Sequence, residues 1–473
     1  VGPPVEAVLA RHGAARRLHG ALSDASALVA ALRREAARRP ELTEPTEAAA
    51  AHLFAAQGWA AMDPAPGGGL RDPAVRQAAW QALGQARAAV EAALGPPAPV
   101  EASDADGDGF PELRVRTPHG RFTVAPGLGG ALTEWWVPGV GNLLNTHDRV
   151  AEGWHRLDEE MGLPVLDGEP GADVSGASQA SLEGDVVLDV DDPSMEVPMD
   201  AGGATFGRAA PAPLVAVDVD APEDDTDLPT DEGAAPALSR GALTPLEELV
   251  PAAWLDGLDR VPRLALLDRF LGPATPLSAF ARGQADEEGD FAGAPYRVER
   301  AGPRPDGAVE VVLAREGVLR GAHGEGLLRL TRTLVFSSDE PVLRVDWELV
   351  NRSREVLSSR FAVEINTGLD GRDGPARGLR LPGRPPIGAA EPAVIGDAPE
   401  AAFAWTDFGV MLRLRPDRPA GLLHLPVHAP VPAAGAPRAV YQGSAVLLWW
   451  PLRLWGEERA RFGLELRLGR RPA

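Results

Sequence analysis

A chain of 473 residues that is 44% hydrophobic can bury a large core and suggests two or three domains. Its formal net charge of −22 argues against nucleic acid as a partner, because that needs a basic footprint. No apolar run reaches the roughly 18–20 residues that span a bilayer, so no membrane partner is expected either.

The sequence holds no Cys, hence no disulfide framework and no thiolate metal site, and its N-terminus has no signal-like apolar core. A reducing cytoplasm is the expected compartment. Every basic residue is Arg, and Val stands at position 1, as in a trimmed chain or one with a valine-coded start.

Residues 5–39 and 46–94 are Ala/Arg/Leu-rich, with Val5, Leu9, Leu18, Leu22, Leu28 and Leu32 at helical spacing. Pro40, Pro45 and the run at 63–69 interrupt the pattern. Asp72-Pro73 combines an N-cap with a proline suited to the first helical turn, and Gly95-Pro96-Pro97 stops the helix near Leu94. Residues 1–97 are therefore read as a helical segment of two to four helices.

The next stretch carries the sharpest chemical motif, Asp104-Ala-Asp106-Gly-Asp108-Gly-Phe110-Pro-Glu112. Carboxylates at alternate positions followed by Gly109 wrap hard oxygen ligands around one cation, with the Phe110 carbonyl and Glu112 completing the shell. The expectation is one structural calcium ion held by Asp104, Asp106, Asp108, Phe110 and Glu112, where the helical segment meets the first strand. An acidic Asp-Gly turn without metal is the plainer alternative.

Beyond Pro99 the apolar period becomes two, first at Leu113–Val115 and Phe122–Val124, then more strongly over 307–365 and 401–470. Many strands with short Gly/Pro links point to a mainly β fold of antiparallel sheets, placed at 98–166 and 246–473. Between them, from Asp167 to Glu232, eighteen Asp and Glu face a single Arg, Arg208, so this stretch carries −17 of the charge. Such a composition cannot bury enough apolar surface to offset its ordering entropy. Residues 167–245 are read as an acidic, disordered, low-complexity insertion, with a tether or docking tail as the functional alternative; 242–258 returns the chain to the fold.

Trp135-Trp136 and Trp449-Trp450 are candidate platforms for a sugar, since an indole face packs against the C–H face of a pyranose. Neighbours on a strand point to opposite faces, so at most one of each pair belongs to a core. Core or domain-interface packing is the competing reading. His147, His155, His424 and His428 are scattered, and Asn145, Asp148 and Arg149 suggest a turn network.

Four blocks stand in order: DADGDGFPEL followed by residues 129–155, LLDRFLGPATPLSAFARGQADEEGDFAGAPYRV at 266–298, FAVEIN at 361–366 and YQGSAVLLWWPL at 441–452. Together they resemble the C-terminal part of glycoside hydrolase family 57, the 4-α-glucanotransferases and α-amylases. The resemblance covers roughly 98–165 and 255–470 and implies a supersandwich of the galactose-mutarotase-like kind. Mutarotase-like domains use His and Glu, which makes Glu134, His155 and Glu364 nominal candidates; fold alone does not give function.

In that family a polar and aromatic segment of the helical region lines the sugar site. Here the matching stretch, Gln57 to Leu70, keeps its glycines but not those groups in register. The family's catalytic carboxylate pair lies on a barrel, and about 100 residues precede the sandwich here, too few for one. No catalytic residue is assigned. The resemblance implies a non-catalytic C-terminal module of an α-glucan-processing protein. Its expected partners are an α-glucan and a separate catalytic barrel chain. The alternatives are a fragment of an active 4-α-glucanotransferase whose barrel lies upstream or on another chain, and a structural interaction protein.

Overall fold

The computed structural model describes residues 5–65, 67–148, 243–245, 259, 261–272, 275–281, 283, 285, 287–321, 324–369, 376–431 and 438–470. The chain divides into two units, Val1–Leu166 with Leu238–Ala473, and Asp167–Ala237. The second unit lies wholly outside the described residues, and so does nearly all of the acidic insertion.

Four helices open the first unit: α1 (Val5–Arg11), α2 (Gly13–Ala36), α3 (Thr43–Ala56) and α4 (Pro73–Leu94). The cap at α4 is the one the sequence signals. Asp72 accepts hydrogen bonds from the Ala74 and Val75 N–H groups, and Gly95 leaves the helix at φ 91°. The spacing of Leu18, Leu22, Val29 and Leu32 on α2 and of Leu83 and Val90 on α4 gives one apolar stripe per helix. These stripes and Leu53 of α3 form a helical core of their own.

Among the described residues twenty strands follow, in three antiparallel sheets. The first is a meander of β1 (Val100–Ser103), β2 (Glu112–Thr117), β3 (Gly120–Ala125), β4 (Ala131–Val137) and β5 (Gly141–Asn142).

The second has the order β6-β15-β18-β19-β12-β7. Its strands are β6 (Leu243–Pro245), β7 (Leu267–Leu271), β12 (Leu357–Thr367), β15 (Ala393–Ala398), β18 (Ala420–Val431) and β19 (Arg438–Leu454). A short helix, α5 (Leu277–Ala281), follows β7.

The third sheet has nine strands in the order β14-β13-β16-β17-β20-β11-β10-β9-β8. They are β8 (Arg297–Pro303), β9 (Val309–Gly321), β10 (Gly324–Phe336), β11 (Val342–Asn351), β13 (Arg377–Arg380), β14 (Ile387–Gly388), β16 (Ala401–Trp405), β17 (Val410–Pro416) and β20 (Arg459–Arg470). The fold is thus mainly β, an antiparallel supersandwich preceded by helices. Strand β6 lies at the end of the range read as insertion, yet it pairs with β15 as Leu243↔Ile395 and Pro245↔Ala393. The sheet therefore begins within that range.

Strands β10, β11 and β20 alternate buried and exposed residues, as a sheet with one solvated face must. Their inner faces share one core with β12, β19 and the meander, including Phe336, Trp347, Phe361, Trp450 and Phe462. A buried charge pins the layers together. Asp268 on β7 accepts from Trp347 Nε1 (2.7 Å), Tyr296 OH (2.8 Å) and Arg332 Nη1 (3.2 Å). Arg332 also donates to the carbonyls of Leu266, Gly129 and Gly130. Burial pushes the Asp268 carboxyl upward, and these three donors oppose that shift.

Candidate functional site

The acidic loop is the turn between β1 and β2, whose ends pair as Ser103↔Glu112. It thus lies within the first hairpin rather than between the helices and the first strand. Its side chains curl inward. Asp104 accepts from the N–H groups of Gly107 (2.8 Å), Asp108 (3.1 Å) and Gly109 (3.0 Å), and Asp108 accepts from Phe110 N–H (2.8 Å). Gly107 and Gly109, at φ 75° and 87°, allow that curl.

Carboxylate oxygens of Asp104, Asp106 and Asp108 gather within 4.8 Å of one another. Glu112 is not in that group. It is buried and accepts the Ala105 N–H (2.8 Å), closing the loop from below. Burial, opposed by that N–H and reinforced by the Asp106 and Asp108 charges, raises its pKa to about 7. The Phe110 ring is 43% exposed and packs beside Gly127. The loop rests on α2, where Arg16 pairs with Asp106 at 3.6 Å and Gly20 leaves room for the Ala105 carbonyl.

Trp135, Trp136 and Trp450 are buried, and Trp449 is partly buried. On β4 the two indoles do point to opposite faces, but both faces are covered. Trp135 packs on Phe122 (5.2 Å between rings), in the shared core. Trp136 lies under α4 against Gly84, with the Arg121 guanidinium 4.3 Å from its ring. Of this pair Trp135 alone belongs to the shared core, and the other ring is covered by another element, α4. Trp450 packs on Phe462 (5.2 Å), whereas Trp449 lies across Gly421 on the other face of β19. Packing, rather than an open platform, is what the structure gives these rings.

The remaining candidates separate. Glu134 accepts from Arg87 (3.2 Å) and Thr123 (3.0 Å) beneath the helices, while Glu364 lies on β12 of another sheet. His147 and His424 are buried, and the His428 ring meets Tyr441 edge-on. Asn145 bonds both backbone groups of His147 within the turn, whereas Asp148 accepts from Arg17 of α2 (2.9 Å). His155 and Arg149 lie outside the described residues.

The sequence reading missed a charged hollow, a cavity of about 330 Å³ lined by Asp259, Arg263, Arg269, Phe280 and Glu287. Arg263 donates to Asp259 (2.9 Å), to Glu364 (3.1 Å) and to the Phe280 carbonyl (3.0 Å). Arg269 bridges Glu364 and Glu287. Burial raises the Glu287 carboxyl against the pull of Arg269; the same burial works against the Arg269 charge, which Glu287 and Glu364 hold in place. The two guanidiniums also sit over the Phe280 ring, at 4.9 and 5.3 Å. These residues come from four separate places in the chain, so no local spacing announces them.

Residues 256–464 match the family model described as α-amylase/4-α-glucanotransferase, C-terminal. No curated protein matches the chain in sequence. Among solved structures, a 4-α-glucanotransferase from Thermococcus litoralis aligns at TM-score 0.58 and 16% identity. The alignment covers 97% of this chain and 50% of that one, so the chain spans half the length of that enzyme. A galactose mutarotase-like protein from Clostridium acetobutylicum aligns at TM-score 0.38 and 6% identity, over 78% of this chain and 98% of its own. A putative mutarotase from Salmonella typhimurium aligns at 0.36 and 9%, over 77% and 92%.

Proposed function

Residues 256–464 being the C-terminal domain of an α-amylase/4-α-glucanotransferase-like protein, we propose that the chain is a non-catalytic, carbohydrate-associated module of an α-glucan-processing protein of glycoside hydrolase family 57. The observation that carries this reading is the family match joined to a fold likeness that takes in nearly all of this chain but half of the Thermococcus enzyme. The reading places catalysis on a barrel that this chain serves from its own polypeptide or a separate one.

The carboxylates support the non-catalytic part. Retaining glycosidases need one carboxylate free to attack and one free to deliver a proton. Here Asp259, Glu287 and Glu364 are each tied to Arg263 or Arg269, and Glu134 is tied to Arg87. The test is disproportionation of maltotriose by the purified chain, expected to be absent. Turnover that follows the protein through purification and persists in it alone would overturn the reading.

Within the same reading the acidic loop binds one structural calcium ion. Three carboxylates brought this close repel one another unless a cation neutralises them, and hard oxygen donors suit calcium. Asp104, Asp106 and Asp108 would hold it, with the Phe110 carbonyl as a further donor; Glu112 serves by fixing the loop. The absence of Cys and of any helix among the described residues long and apolar enough to cross a membrane agrees with a cytoplasmic place.

A further inference from the structure

The outer face of the nine-stranded sheet carries arginines that lack acidic partners among the described residues. Arg380 of β13 and Arg413 of β17 both stand opposite Ala402 of β16, so they share a face and a row, with their Cα atoms roughly 10 Å apart, two strand spacings. The next residue in the row, Arg467 on β20, is neutralised by Glu340 (2.8 Å) and Glu465 (3.2 Å). Arg413 has no hydrogen bond or ion pair, and Arg380 donates only to the Leu379 carbonyl. Arg470, at the end of β20, stands opposite the core residue Val410 and so points to the other face, where it donates to the Pro138 carbonyl (2.7 Å).

Arg380 and Arg413 line one hollow of about 460 Å³, which Arg470 borders at the end of β20. Its floor is the adjacent row, Ala404↔Met411↔Gly469, where Ala404 and Gly469 on either side of Met411 leave the depression. Among the described residues no carboxylate lines it, although the chain carries −22 overall and the cavity at Arg263 and Arg269 mixes both signs.

We propose that this hollow binds the phosphomonoester of a saccharide. Guanidiniums match phosphate oxygens in pairs, and Arg380 and Arg413 together suit a group carrying nearly two negative charges. The flat apolar floor of Ala404, Met411 and Gly469 accepts the C–H face of a sugar ring, and the volume falls in the range of small-ligand sites. The saccharide half rests on the α-glucan reading above; the anion half rests on the arginines alone.

The test is calorimetric titration of the full chain at low ionic strength with glucose 6-phosphate, inorganic phosphate and maltose as separate probes. Glucose 6-phosphate is expected to bind at least about tenfold more tightly than either other probe, with R413A and R380A each weakening it about tenfold. Both side chains reach solvent, and far-UV circular dichroism checks that the variants fold. Equal affinity for inorganic phosphate overturns the saccharide half. No heat with either phosphate, or binding untouched by both variants, overturns the whole. A failure here leaves the maltotriose assay unaffected, because that assay reads a separate property.

Discussion

His424 lies on β18 with its ring buried and its Nδ1 2.9 Å from the Glu391 carbonyl, which fixes that nitrogen as the donor of a neutral imidazole. Burial, opposed only by the Glu391 carbonyl and charge, pulls its pKa to about 4. The folded value lies below the unfolded one near 6.5. The contribution of the neutral ring is therefore complete above pH 6.5 and is lost as pH falls toward 4, by about 3 kcal/mol. Urea unfolding from pH 4 to 8 should show this slope in the native chain and lose it in His424→Leu; parallel curves would sink the idea. The acidic loop gives a second prediction at this scale. Calcium at about 100 times its Kd should stabilise the chain by about 2.7 kcal/mol, since it binds only the folded loop. The double change Asp106→Ala, Asp108→Ala should abolish that gain, read as a calcium-dependent rise in Tm; no rise in the native chain would leave an acidic turn.

At the scale of elements, the contact between α4 and the meander decides how the helices sit on the sheets. Gly84 faces Trp136, and a methyl group there would overlap the indole. Ala is the better helix former by about 1 kcal/mol, so Gly84→Ala should stabilise an isolated α4. In the folded chain the overlap should prevail, with a net loss of about 1–3 kcal/mol in denaturant unfolding. Adding Trp136→Phe should recover part of it; a stabilised Gly84→Ala chain would show that the helix lies less tightly on the sheet. The cap at Asp72, the stop at Gly95 and the period-two runs of β9 to β12 were all legible beforehand, because each depends on neighbours in sequence. The burial of Trp136 was not, because it depends on a helix some fifty residues earlier in the chain.

For the whole molecule, the acidic stretch is the test of how far composition alone can be trusted. Residues 170–238 offer little apolar area against much charge, so deleting them should leave the thermal midpoint nearly unchanged. A large fall in Tm would show that they contribute to a core. By itself the sequence determined the order of helices and strands, the caps, the acidic loop and the kinship of the later half, because these follow from period, turn chemistry and local spacing. Only the tertiary structure decided which faces were covered. It turned three of the four tryptophans into buried packing, took Glu112 out of the carboxylate cluster and drew Asp259, Arg263, Arg269 and Glu287 around one cavity, with Glu364 bonded to its two arginines. It also left Arg380 and Arg413 side by side across Ala402 without an acid. Those outcomes depend on which strands become neighbours, and the register of a sheet is settled by the burial of all its strands together rather than by any one of them.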